Sequence, residues 1–188
     1  MPFAYIPKSL ATTAGNQPVP NSRLCAYEPN TLVAPTVEMP STSLALTNHW
    51  VLFLGGTDKT SLRFDPSPTG PDNTIDIIVS SKSYPHSANC VKTVDLTTAP
   101  RTYAANITDH IVAAKYDNYK FSTGGQGCRF WLYSFVHLLR SKGFLPRSEE
   151  VSASEHALGI VWDSRGSPVP KKQQTGITKG TFQRKVKI

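Results

Sequence analysis

The sequence lacks any run of apolar residues long enough to cross a bilayer, so no helical membrane span is expected. It is poor in cysteine. Cys25, Cys90 and Cys128 are odd in number and far apart, which fits neither a disulfide framework nor the ligand spacing of a zinc site. His86, His110, His137 and His156 have no second ligand at metal spacing, so neither a metal nor a cofactor is expected. Met1–Leu10 has no basic region leading into a long apolar core; without that secretory pattern the expected compartment is the cytoplasm, where thiols stay reduced. Internal repeats and low-complexity tracts are also missing. Acidic residues are the scarcer charge, 13 against 20 basic, for a net charge of +7. The excess crowds the last stretch, at Lys171, Lys172, Lys179, Arg184, Lys185 and Lys187. With no nucleic-acid motif and no basic residues interleaved with aromatics through the body, this reads as a solvated tail rather than a specific nucleic-acid site. Only weak, salt-sensitive attraction to anionic surfaces is expected of it.

What is present is enough chain for one domain with a core. The 188 residues are 39% hydrophobic, with 15 prolines and 12 glycines that imply many turns. Residues 1–21 read as an N-terminal arm without a sustained period, 22–182 as a single domain and 183–188 as a basic C-terminal tail.

The chain appears as strands first and helices after. Leu24–Tyr27 is a short first strand, and Glu28–Ser43 is a proline-rich connection. Thr47–Leu54 (TNHWVLFL) is the clearest strand. A glycine turn at Gly55–Lys59 returns it into Thr60–Asp65, making a hairpin. Alternation puts Leu62 and Phe64 on one face and Ser61, Arg63 and Asp65 on the other. Thr74–Ser80 and Cys90–Leu96 are further strands. Ile107, Ile111 and Val112 then mark a short helix with Asn106 or Thr108 as its N-cap. Trp131, Leu132, Phe135, Leu138 and Leu139 form the one-sided stripe of a helix that begins at Cys128 and stops at Gly143. A last helix spans Ser148 to about Trp162, with Ala153, Ala157, Ile160 and Val161 on one side and Gly166–Pro170 ending it. Thr175–Phe182 is a final strand or an extended tail. The expected class is α+β, a small antiparallel sheet packed against helices.

The stretch that points to chemistry is Gly124-Gly125-Gln126-Gly127-Cys128. It delivers a thiol to a first helical turn, where unpaired N–H groups and the helix dipole favour the thiolate, the nucleophilic form. A cysteine nucleophile needs a base in reach and an orienter behind the base. His49 and Asp65, on two arms of one hairpin, can supply them. Gln126 can donate to an oxyanion beside the Cys128 N–H. Arg129 and Arg63 can hold an anionic group of a substrate, and Trp131 can line an apolar pocket. Each has a plainer alternative. Cys128 can be a small buried residue, His49 a half-buried strand histidine, Asp65 a turn initiator before Pro66, Gln126 an exposed turn residue. Arg129 can face solvent and Trp131 can be core.

A histidine strand (NHWVLFL), a hairpin and then a cysteine opening a helix resembles the circularly permuted branch of the papain-like NlpC-type superfamily, which includes lecithin:retinol acyltransferase-like proteins. The likeness is one of element order over roughly 47–143. That family's usual motif has Asn before the cysteine and an acidic residue or His after it; here those positions are Gly127 and Arg129. The resemblance implies a thiol hydrolase or acyltransferase with Cys128 as nucleophile and His49 as base. The strings NHW, SLRFDPSP, YKFSTGGQGCRFWLY and KGTF are in turn similar to a domain family of filamentous fungi, across most of 24–182. That family implies a fungal intracellular protein with a role in secondary metabolism, but no particular activity; the Trp and Phe residues near Cys128 and His49 point to a small organic metabolite as the substrate. An alternative without a covalent cysteine step is a small-molecule-binding protein that promotes a cyclisation or isomerisation; another is a non-enzymatic interaction module.

Overall fold

In the computed structural model, residues 4–5, 15–31 and 46–183 are described. Most of the N-terminal arm, residues 32–43 of the proline-rich connection, and the basic tail from Arg184 onward lie outside them. The class is α+β. The main sheet contains β1 (Ala4–Tyr5), β2 (Asn21–Ala26), β5 (Trp50–Gly55), β6 (Ser61–Ser67), β7 (Asp76–Lys82) and β8 (Lys92–Thr97). Their order across the sheet is β1-β7-β6-β5-β2-β8. Only the short β1 runs parallel to its neighbour; the other five strands are antiparallel.

The strongest strand begins later than the hydrophobic run suggests, at Trp50 instead of Thr47. Two short strands, β3 (Asn30–Thr31) and β4 (Leu46–Thr47), pair with each other instead. The reason lies at Asn48, which is fully buried and cannot continue the pleat. Its amide donates to the Tyr27 and Trp162 carbonyls at 2.9 and 2.8 Å, and its oxygen accepts the Trp162 N–H at 2.7 Å. From Trp50 on, alternation takes over. Trp50, Leu52 and Leu54 join Leu62 and Phe64 in the main core, while Val51 and Phe53 face the other side with Cys25.

Three helices cover the first face: α1 (Ala104–Ala113), α2 (Cys128–Ser141) and α3 (Ser148–Leu158). Helix α2 packs on β5, β6 and α3, burying Trp131, Leu132, Phe135, Val136 and Leu139. Two expected helix ends are corrected. Tyr103 is the N-cap of α1; Asn106 instead accepts the Tyr103 N–H at 2.9 Å, and Thr108 donates back to the Ala104 and Ala105 carbonyls within the helix. Helix α3 stops at Leu158, before Trp162, because the next N–H groups are claimed by side chains from elsewhere: Val161 by Gln174 and Trp162 by Asn48. Its buried side is Val151, Ser154, Ala157 and Leu158; Ala153 is exposed. The final stretch contributes only β10 (Thr181–Phe182), paired with β9 (Tyr119–Lys120). No helix among the described residues is long and apolar enough to cross a membrane.

Candidate functional site

The glycine turn before α2 is shaped by its sequence. Gly124, Gly125 and Gly127 all have positive φ, 145° at Gly127, where a side chain is strained. The turn is closed by Ser122, whose N–H and hydroxyl both donate to the Gln126 carbonyl. Gly127 is the N-cap, so Cys128 is the first helical residue and its N–H has no acceptor within the helix. The Cys128 thiol is half-buried.

His49 is the last residue before β5. Its carbonyl accepts the Tyr27 N–H at 2.9 Å, which holds the segment at the sheet's end. Its Nε2 lies 2.7 Å from Asp65 Oδ1, and its side chain lies beside that of Cys128, close enough for each to shift the other's ionisation. With Nε2 committed to Asp65, Nδ1 is the nitrogen left for the sulfur. The second Asp65 oxygen accepts from Arg63 Nη2 at 2.5 Å. Tyr27 completes the surround: its ring stacks on His49 with centroids 6.3 Å apart, and the Arg63 guanidinium sits 5.6 Å from the same ring centre. His49, Asp65, Arg63 and Tyr27 thus form a closed ring of contacts around one imidazole.

The electrostatics follow from this packing. Burial disfavours the charged imidazole, but the hydrogen bond to Asp65 and the neighbouring Cys128 outweigh it and raise the His49 pKa to about 10. Burial likewise pushes the Cys128 thiol up. The neighbouring His49 and its charge, the Trp50 backbone N–H and the nearby Arg129 charge overcome it, and the thiol is more acidic than usual. Asp65 is held below the ordinary carboxylate range; burial opposes this, and its bond to His49 and the Arg63 charge prevail. The favoured arrangement is a thiolate facing an imidazolium, with a carboxylate behind the ring.

The remaining candidates fall in different places. Gln126 is half-buried in the turn, and its Oε1 accepts from the Thr178 hydroxyl at 2.7 Å, which leaves its NH₂ as the free donor. Arg129 corrects the expectation of a solvent-facing or substrate-holding side chain. It is buried, and its guanidinium donates to the carbonyls of Leu158, Thr175 and Gly176 and to the Thr175 hydroxyl. Those partners come from segments distant in sequence, so the strand-and-helix pattern around Cys128 gave no sign of them. Trp131 is corrected in the same way: it is wholly buried, its Nε1 donates to the Tyr116 carbonyl at 2.8 Å, and it packs on Phe135. It is core. Arg63 braces Asp65 as described. His137 is exposed and pairs with Glu155 at 3.0 Å. Among the described residues no three His, Cys, Asp or Glu side chains are grouped as metal ligands.

The sequence pattern marks Tyr27 only as the end of a short first strand and Asn48 only as part of the TNHWVLFL strand, with no role at the site for either. The pairing of β2 with β5, Ala26 opposite Trp50, is what brings Tyr27 beside His49. A shallow cavity of about 240 Å³ opens elsewhere, between Pro18–Pro20, Thr57 and Thr98–Thr102. It contains none of the His49, Asp65 and Cys128 side chains, and the chemistry points to the latter group.

A family model described as "Domain of unknown function (DUF7770)" matches residues 31–183. No curated protein and no solved structure matches the chain.

Proposed function

From a chain that belongs to the DUF7770 domain family, we propose a thiol-dependent hydrolase or acyltransferase acting on a small organic metabolite. The observation that carries this reading is the simultaneous approach of His49 to Asp65 on one side and Cys128 on the other. A purely structural histidine needs one good partner. One held by a buried carboxylate and set beside a helix-tip thiol has the arrangement of a base with its orienter and its nucleophile.

In the proposed reaction the Cys128 thiolate attacks an ester, thioester or amide carbonyl. The new C–S bond displaces the carbonyl π electrons onto oxygen, where the Cys128 N–H and the Gln126 amide donate. The oxyanion collapses, the bond to the leaving group breaks, and the His49 imidazolium gives it a proton. Water, or an acceptor alcohol or amine, then attacks the thioester as neutral His49 takes its proton. The Cys128 thiolate leaves and the imidazolium is restored. Asp65 stabilises the imidazolium and fixes the ring. The order of histidine strand before cysteine helix supports a permuted papain-like arrangement. The three free cysteines support a reducing, cytoplasmic setting. A place in fungal secondary metabolism rests on the family resemblance in sequence alone.

The test is alkylation by iodoacetamide across pH, followed by incubation with a short acyl thioester and intact-mass analysis. The expected results are a Cys128 titration below that of an ordinary thiol, an acyl adduct on Cys128 absent from Cys128→Ser, and roughly tenfold or greater loss of neutral-pH alkylation in His49→Ala. Cys128 titrating as an ordinary thiol, indifferent to His49→Ala, would sink the proposal.

A further inference from the structure

On the face of the sheet opposite the helices, a second pair of sulfurs meets. Cys25 is fully buried in β2 beside Val51 and Phe53, and half-exposed Cys90 packs against that cluster from the loop before β8. The two thiols lie close enough to shift each other's ionisation. The backbone holds them there: the Val91 N–H donates to the Ala26 carbonyl at 2.9 Å, so each cysteine is one residue from a fixed contact between the two segments. The Cys90 N–H donates to Ser87 at 3.3 Å, which keeps the loop turned toward the sheet. This is a pair on two separate segments, not an isolated thiol.

The pair is asymmetric. The neighbouring Cys90 and burial both push the Cys25 thiol up, so Cys25 keeps its proton. On Cys90 the neighbouring Cys25 acts the other way, and although burial opposes it, the Ser87 backbone N–H and the charges of Arg23 and Arg63 help hold the Cys90 pKa down. The more exposed sulfur is therefore the more readily ionised one. That is the division of roles a peroxide-oxidised dithiol needs: an accessible attacking thiolate and a sheltered resolving thiol.

We propose that Cys25 and Cys90 form a reversible disulfide, with hydrogen peroxide as the oxidant. The Cys90 thiolate attacks one peroxide oxygen, the O–O bond breaks, and hydroxide leaves and is protonated, giving a sulfenic acid. The Cys25 sulfur then attacks Cys90 sulfur, the S–O bond breaks, and the Cys25 proton leaves with the hydroxyl as water. The two thiols lose two electrons in all and one peroxide becomes two waters. A dithiol reductant reverses the step. The crosslink ties β2 to the loop that carries Ser87, and Tyr27, the residue directly after β2, stacks on His49. The inference does not rest on the proposed activity, since Cys25 and Cys90 lie in a different cluster from Cys128.

The full chain, reduced and then exposed to limiting hydrogen peroxide, is digested without reduction and mapped by mass spectrometry, in parallel with Cys128→Ser, Cys90→Ser and Cys25→Ser. The expected result is a Cys25–Cys90 linked peptide in wild type and in Cys128→Ser, none in Cys90→Ser, and return of both free thiols with dithiothreitol. Cys90→Ser changes a half-exposed side chain and keeps the comparison valid if Cys25→Ser fails to fold. Cys90 passing to sulfinic acid without linking, or linked peptides that join Cys128 instead, would overturn the proposal.

Discussion

Asp65 divides its two oxygens between His49 and Arg63, at 2.7 and 2.5 Å. The carboxylate cannot rotate without losing one of them, so Arg63 fixes Asp65 and Asp65 fixes the imidazole. An Asp65→Asn change keeps the shape but removes the charge that stabilises the imidazolium, and it allows the amide to present NH₂ to the ring. The expected outcome is a loss of about a hundredfold or more in turnover of an acyl thioester. Arg63→Met, which leaves the carboxylate in place but unbraced, should cost less. Steady-state kinetics on the three proteins decides it; equal activity in all would show that Asp65 does not orient the base.

The His49–Cys128 pair predicts a distinctive dependence of stability on pH. The folded pKa of His49 is raised, from 6.5 to about 10. Its contribution is fully present below pH 6.5 and is lost as pH rises toward 10. The folded pKa of Cys128 is lowered from 9.0. Its contribution is present above pH 9.0 and is lost as pH falls through the lowered value. Between pH 6.5 and 9.0 the two slopes oppose each other, and they cancel wherever the folded thiol is already ionised, since folded and unfolded chains then each hold one proton on the pair. The stability advantage of wild type over a Cys128→Ser, His49→Ala double variant should therefore be a plateau that falls away on both sides. Urea midpoints across pH test this; a monotonic difference would show that the ion pair is not formed.

These predictions depend on contacts that were unevenly visible in the sequence. The helix from Cys128 was plain because Trp131, Leu132, Phe135 and Leu139 repeat at helical spacing within one element, and all four are buried. The approach of His49 to Asp65 was readable because a short hairpin connects them. Tyr27 was not, because the pairing of β2 with β5 crosses a long proline-rich connection and local pattern does not record it. Arg129 misled for a similar reason. A charged residue early in an amphipathic helix ordinarily reaches water, and only the return of Thr175 and Gly176 over the helix gives it buried acceptors.

That return makes Arg129 a test of its own. Its guanidinium is buried with carbonyls and a hydroxyl as acceptors, and burial lowers its pKa, with the neighbouring Cys128 charge acting the other way. Arg129→Met should lower stability by about 3 kcal/mol, from acceptors left without donors. It should also move the Cys128 titration toward that of an ordinary thiol, because one favourable charge is gone. Arg129→Lys should recover little, since one ammonium cannot reproduce a planar fork of donors. Denaturation midpoints and alkylation profiles read the two effects separately. Unchanged thiol acidity in Arg129→Met would limit the residue to a structural role.

Gly127 sets where the thiol stands. A Cβ there would lie 2.6 Å from the Tyr119 hydroxyl, on a backbone with φ of 145°. That hydroxyl donates to the Gly127 carbonyl at 3.1 Å and accepts the Gly180 N–H at 2.8 Å, so it cannot move aside without breaking two bonds. Gly127→Ala should destabilise by about 1–3 kcal/mol from the backbone conformation alone, with the clash added. The two parts separate in a double-mutant cycle with Tyr119→Phe, which removes the hydroxyl and keeps the ring. Gly127→Ala should cost less in the Tyr119→Phe background than in wild type, because the nearest obstructing atom is gone, while the backbone strain remains in both. Strictly additive costs would mean that the hydroxyl does not limit the turn. The start of α2 would then be set by glycine backbone preference alone, and the Cys128 alkylation profile would shift equally in both backgrounds.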